Sequence, residues 1–151
     1  MIRELLFGGS KPNTLSTDIS LVIFRITCGL PLMTVFEKLF PRDGRWGPQD
    51  WFVAEVAEMG FPLPLFFAWC AVLSEFVGGL FILVGFATRP AALFVALTVF
   101  VAAFIYHDMD LAGDGLLATI FLFLSAGILC SGAGRFSVDR LISQRRLKDA
   151  E

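Results

Sequence analysis

Four stretches of this chain stay apolar for about as long as a lipid bilayer is thick. They cover residues 19–36, 64–86, 90–106 and 116–131. A helix needs about 20 mostly apolar residues to cross about 30 Å of hydrocarbon, where every backbone N–H and C=O has to bond internally. Helix breakers frame the stretches. Pro62 and Pro64 precede the second, and Pro90 opens the third in its first turn, where a missing N–H is no loss. Gly113 and Gly115 precede the fourth, and Gly132 and Gly134 follow it. No stretch keeps up strict alternation over about ten residues, which argues against a β-barrel.

Composition says the same. The 151 residues amount to one domain; 56% are hydrophobic, 17 are phenylalanine and only 17% are charged, against about 25% charged in an average soluble domain. So small a chain has too much surface to hide that load from water. A soluble globular domain, a disordered chain and a disulfide-stapled scaffold are excluded, and a net charge of -2 argues against a nucleic-acid partner. The expected fold is all-α, an integral membrane four-helix bundle over residues 19–131. An N-terminal segment (1–18) and a basic C-terminal segment (132–151) flank it. The first 18 residues, with Arg3, Glu4, Lys11 and Asp18, lack a leading apolar core, so the first span is expected to stay in the membrane. Ile2 to Phe7 could lie on the membrane surface.

Basic residues orient the bundle. One side carries Arg3, Lys11, Arg89, Arg135, Arg140, Arg145, Arg146 and Lys148; the other carries Lys38, Arg42 and Arg45. The excess places both termini in the cytoplasm. Trp46, Trp51, Trp69 and Tyr106 then fall near the outer interface, as an aromatic belt does. The outer loop 41–63 is the one sizeable extramembrane piece. Within it, Phe52, Val53, Val56 and Met59 form one stripe, which predicts a short interfacial helix over Asp50 to Met59, ended by Gly60 and Pro62. Ser137 to Lys148 reads as a second amphipathic helix whose basic residues favour anionic lipid.

Ionisable side chains inside spans are expensive and are functional candidates by default. Glu75 lies in the middle of the second span and Arg25 near the middle of the first; Glu37 and Lys38 close the first, and His107 closes the third. Depth along the spans predicts a buried Arg25–Glu75 contact, either a register-setting ion pair or part of a binding site. His107, the single histidine, can titrate near neutral pH or simply sit solvated at the interface. One histidine builds no metal site here, and no metal-ligand spacing occurs. Cys28, Cys70 and Cys130 read as small buried apolar residues. Ser74 and Gly78 stand four apart, with Gly79 following, a small-residue pattern suited to close helix packing.

Several strings, in order, resemble the DoxX family of small four-span bacterial membrane proteins. They are Leu5-Leu6-Phe7-Gly8-Gly9, Glu37-Lys38-Leu39-Phe40, Ser74-Glu75-Phe76 with Gly78-Gly79-Leu80, and Gly85-Phe86-Ala87-Thr88-Arg89-Pro90-Ala91-Ala92. Ala103-Phe104-Ile105-Tyr106-His107 and Gly132-Ala133-Gly134-Arg135-Phe136-Ser137-Val138-Asp139 complete the set. The resemblance implies a bundle in the bacterial inner membrane. DoxX relatives include a subunit of a thiosulfate:quinone oxidoreductase and a member of a mycobacterial membrane oxidoreductase complex, so it also implies a redox-linked component. Many relatives carry a histidine where this chain has Thr34 and a glutamate where it has Leu116; Asp114 and Glu37 are substitutes by position. Glu75, Lys38, Arg89 and His107 are retained.

Three functional readings follow. The first is an accessory or scaffold subunit, with partner membrane subunits or copies of itself. The second is a quinone-interacting oxidoreductase subunit using Glu75 with Arg25 or His107. The third is a small-molecule or lipid carrier. Glu75 and His107 are the catalytic candidates, and Arg25, Glu75, Lys38 and His107 the ligand-binding ones. A quinone is the one cofactor considered.

Overall fold

The computed structural model describes residues 15–35, 38 and 46–148. The opening Leu5 to Gly9 string, the surface segment Ile2 to Phe7, and Glu37, Arg42 and Arg45 lie outside the described residues. Among those described, every regular element is a helix: α1 (Leu15–Leu32), α2 (Asp50–Glu58), α3 (Pro64–Val84), α4 (Thr88–Val101), α5 (Leu116–Ser131) and α6 (Val138–Lys148). α1 contains Pro31, which lacks an N–H and crowds the preceding turn, and the chain tightens to a 3-10 turn over Met33–Val35. Thr34 Oγ1 donates to the Pro31 carbonyl at 2.6 Å. α3 stops at Gly85, whose left-handed φ of 72° suits glycine. α4 runs on as a π-helical turn over Ala102–Tyr106, closed by the His107 N–H donating to Ala102 O at 3.0 Å.

α1, α3, and α4 with its π turn are long and apolar enough to cross a membrane, while α5 is shorter at 16 residues. α1 packs on α3, α3 on α4 and α4 on α5, and a lighter α1–α5 contact closes the ring. Cys28, Leu32, Ile82, Ala92, Val95 and Ile128 fill its centre. Large apolar side chains also point outward, among them Ile23, Phe66, Leu117 and Phe123, the last 72% exposed. An apolar core inside an apolar surface is the signature of lipid as the solvent. It also accounts for the cysteines. Cys28 is buried, but Cys70 and Cys130 are exposed, which corrects the expectation that all three are buried; a weakly polar thiol is tolerated on a lipid-facing wall.

Two adjacent glycines serve two different neighbours. A Cβ on Gly79 would stand 2.9 Å from Leu32 Cβ and 3.0 Å from Gly29 O, so α1 and α3 touch through bare backbone. A Cβ on Gly78 would meet a Val95 methyl at 2.7 Å, on α4. Such contacts let spans approach where no hydrophobic effect drives them together.

At the end of the bundle where α1 begins, the segment 132–139 folds back and locks the helix ends. Asp139 Oδ1 accepts the Ala87 N–H at 2.7 Å. Its Oδ2 accepts the Thr88 N–H at 3.0 Å and the Thr88 hydroxyl at 2.9 Å. An acid on α6 thereby caps α4, whose own N-cap residue, Ala87, supplies no side-chain cap. The Asp139 N–H returns to Gly85 O at 2.9 Å. Asp18, fully buried, accepts the Arg135 N–H at 3.0 Å. Ser137 precedes α6, and its Oγ accepts the Arg140 N–H at 3.2 Å, as an N-cap does.

Candidate functional site

The register between α1 and α3 decides which charges meet. Gly29 lies against Gly79, and the Arg25 guanidinium lies against Gly85. Arg25 is therefore level with the end of α3, about 15 Å along the helix from Glu75 at 1.5 Å per residue. The structure corrects the expected Arg25–Glu75 contact. Arg25 Nη2 donates to the Phe136 carbonyl instead, with the Asp139 charge nearby. Lys38, beyond the end of α1, reaches back to Glu75, with Nζ 3.1 Å from Oε2. The same ammonium stands 4.9 Å from the centroid of the Phe52 ring. The Lys38 carbonyl accepts the Gln49 N–H at 3.0 Å, which ties the backbone at Lys38 to the start of α2. The Glu75 side chain is 9% exposed and that of Lys38 29%, so the pair sits where apolar walls begin to replace water.

The pair opens into a cavity of about 530 Å³ between α2, α3 and α4, within the usual range for small-molecule sites of about 300–1,000 Å³. Phe52, Phe61 and Phe67 form aromatic walls, and Glu75, Lys38 and Ser74 form a polar pole. Ser74 Oγ is buried with no hydrogen-bond partner among the described residues. Ser74 thus lines the cavity, whereas Gly78 lies in a helix contact. His107, half-buried, also lines the cavity. Of the four ligand-binding candidates, Lys38, Glu75 and His107 meet around this one space; Arg25 belongs to the lock at the other end. Thr34 and Leu116 are exposed and are not among the described lining residues, and Asp114 is held in a turn by the Asp110 carboxylate. Among the described residues, no group of three His, Cys, Asp or Glu side chains could hold a metal ion.

α2 forms the cavity's cover. Phe52 and Val56 bury against Ala68 and Val72 of α3. At the edge of the cover, Tyr106 Oη donates to Glu55 Oε1 at 3.0 Å. Tyr106 is aimed there by the π turn, an irregularity that recurs at functional sites. Left-handed backbone at Asp108 (φ 47°) and Met109 (φ 60°) follows at once, a strained turn beside the site. Tyr106→Phe should lower the hydrogen-exchange protection of the α2 amides roughly two- to fivefold, the worth of one exposed charge-assisted bond. Unchanged exchange over residues 50–58 would show that the bond does not hold the cover.

Residue-by-residue reading of the spans missed Asp18, Ser137 and Asp139. All three are buried; Asp18 and Asp139 bond to groups far along the chain, while Ser137 bonds within its own turn and packs against Gly85. Their one signal was the presence of Ser137 and Asp139 in a string shared with the DoxX family, which assigned them no partner.

The sequence profile of the DoxX family matches residues 20–108. The inner membrane protein YqjF of Escherichia coli (strain K12) is 33% identical over 132 residues, spanning 85% of this chain and 95% of that protein. The inner membrane protein YphA of the same organism is 31% identical over 153 residues, spanning 92% and 97%. No solved structure matches.

Proposed function

This chain belongs to the DoxX family of integral membrane proteins, and from that premise we propose that it is an accessory subunit of a redox-linked complex in a bacterial inner membrane, with a quinone-type ligand held in the cavity between α2, α3 and α4. The observation that carries this is the convergence of a Lys38–Glu75 ion pair and an unpartnered buried Ser74 hydroxyl in one aromatic-walled space. Those residues suit a flat, apolar ring with polar oxygens. Ser74 Oγ and Lys38 Nζ are donors for a carbonyl oxygen, and Glu75 is an acceptor for a hydroxyl. Phe52 and Phe67 offer ring faces and edges for stacking. A quinone, when bound, supplies the capacity to carry electrons and protons. The chain's own residues bind it, orient it and keep water away. The count of basic residues puts both termini on the cytoplasmic side, and the cavity then lies in the outer half of the bilayer.

The test is binding of decylubiquinone to detergent-solubilised protein by calorimetric titration. Glu75→Gln keeps the shape but removes the charge that holds Lys38 in place. It should weaken binding about tenfold, or about 1.4 kcal/mol, with the melting temperature nearly unchanged. Equal affinity in the variant, or no saturable binding in the parent, refutes the reading.

A further inference from the structure

Among the described residues, the cavity has a wall between α3 and α4 that opens to lipid. α3 contributes Phe67, Cys70, Ala71 and Ser74, and α4 contributes Phe94, Leu97, Thr98 and Val101, each at the spacing of a single helix face. Cys70, Phe94 and Leu97 line the cavity and are exposed on the bundle's surface as well, Phe94 to 61% and Leu97 to 56%. Three such side chains side by side on α3 and α4 mark a mouth there. Deeper in the membrane the cleft is shut, because Gly78 lets α4 press a Val95 methyl against α3. Towards the loop end it is covered by α2, with Val56 3% exposed; Trp51 and Tyr106 line it at the cover's exposed edge, where the Tyr106–Glu55 bond bridges the gap.

Building on the function proposed above, we infer that the ligand is a long-tailed amphiphile that loads sideways from the bilayer, through the cleft between α3 and α4, with its polar ring ending at Lys38, Glu75 and Ser74. Counted from the Gly78–Val95 contact, Ser74 is level with Val99, between the lining residues Leu97 and Val101. A ring seated at the polar pole therefore has the mouth beside it, and its tail passes out between Cys70 and Leu97. There the tail meets hydrocarbon and loses no solvation on binding. A water-borne ligand would have to displace the packed cover instead.

Cys70, at the mouth, reports access. The full chain in nanodiscs is treated with benzyl methanethiosulfonate, which dissolves in lipid, or with its charged trimethylammonium-ethyl counterpart, and Cys70 adducts are quantified by mass spectrometry. The apolar reagent should react about tenfold faster or more, because a fixed charge is excluded from hydrocarbon. Leu97→Trp, which plugs the mouth from the lipid-facing side, should slow the apolar reagent about fivefold by obstructing Cys70. Decylubiquinone should protect Cys70, and duroquinone, a tailless quinone with no free ring position for a thiol to add to, should not. Equal rates for the two reagents, or no effect of Leu97→Trp, overturns the lateral route. Equal protection by the tailless ring overturns the requirement for a tail. If reagent selectivity and the Leu97→Trp effect hold while neither quinone protects, the portal stands, and it is the quinone reading that fails.

Discussion

Gly79→Val should leave little folded bundle, whereas the same change at Gly127 should leave the protein intact. Gly79 sits where α1 and α3 meet backbone to backbone. A Cβ there would lie 2.9 Å from Leu32 Cβ, and one on Gly29 would lie 2.5 Å from Gly79 O. Neither neighbour can swing aside, since one is a Cβ and the other a carbonyl. Valine therefore forces the helices apart. Overpacking of this kind costs about 1–3 kcal/mol in soluble cores; in lipid, close packing is the main attraction between spans, so the loss extends along the interface. Separation would also carry Lys38 away from Glu75. Gly127 has nothing within 4 Å of its would-be Cβ, which makes it a matched control. Thermal unfolding in detergent, followed by size-exclusion chromatography, gives the comparison. Equal melting of the two variants would mean that the α1–α3 contact is not the close one described.

The second large effect is expected at Asp139. The residue is 5% exposed, and its carboxylate accepts three hydrogen bonds that start α4. Asp139→Ala strands the N–H groups of Ala87 and Thr88 together with the Thr88 hydroxyl. It also releases Ala87, whose left-handed φ of 43° is a costly conformation for a residue with a Cβ. Losing a cap and leaving buried donors unpaired amounts to about 2–4 kcal/mol. Arg25 loses a nearby opposite charge at the same time. Asp139→Asn keeps one acceptor and should fall between the two. The melting temperature reads the global loss, and hydrogen exchange at Ala87 and Thr88 reads the local one. Wild-type melting with both amides still protected would remove Asp139 from the lock.

Some of this was legible one residue at a time. The apolar stretches fold as helices because length and hydropathy alone state which solvent they need. The α2 stripe, Phe52, Val53, Val56 and Met59, was readable because a helix repeats its faces locally. Arg25 and Glu75 show where such reading stops. Both are mid-span, so depth counted from the ends of the stretches put them together; the Gly29–Gly79 contact slides α1 along α3 and hands Glu75 to Lys38. Ser74 illustrates the same limit, since its spacing to Gly78 fits a packing motif and yet its hydroxyl faces the cavity. Cys70 and Cys130 are apolar enough for a core and stand on the surface, because both sides of the wall are apolar.

The one-dimensional chain was enough to state that this protein lives in lipid, that it is helical, which family strings it carries and which few ionisable groups are out of place in a membrane. Those are properties of composition, length and local period, and no neighbour is needed to compute them. Pairing was another matter. That Glu75 meets Lys38, that Asp139 caps a helix begun 51 residues earlier, and that a cavity lies between α2, α3 and α4 depend on rotation and slide between helices. A glycine–glycine contact sets them between α1 and α3, and a glycine–valine contact between α3 and α4.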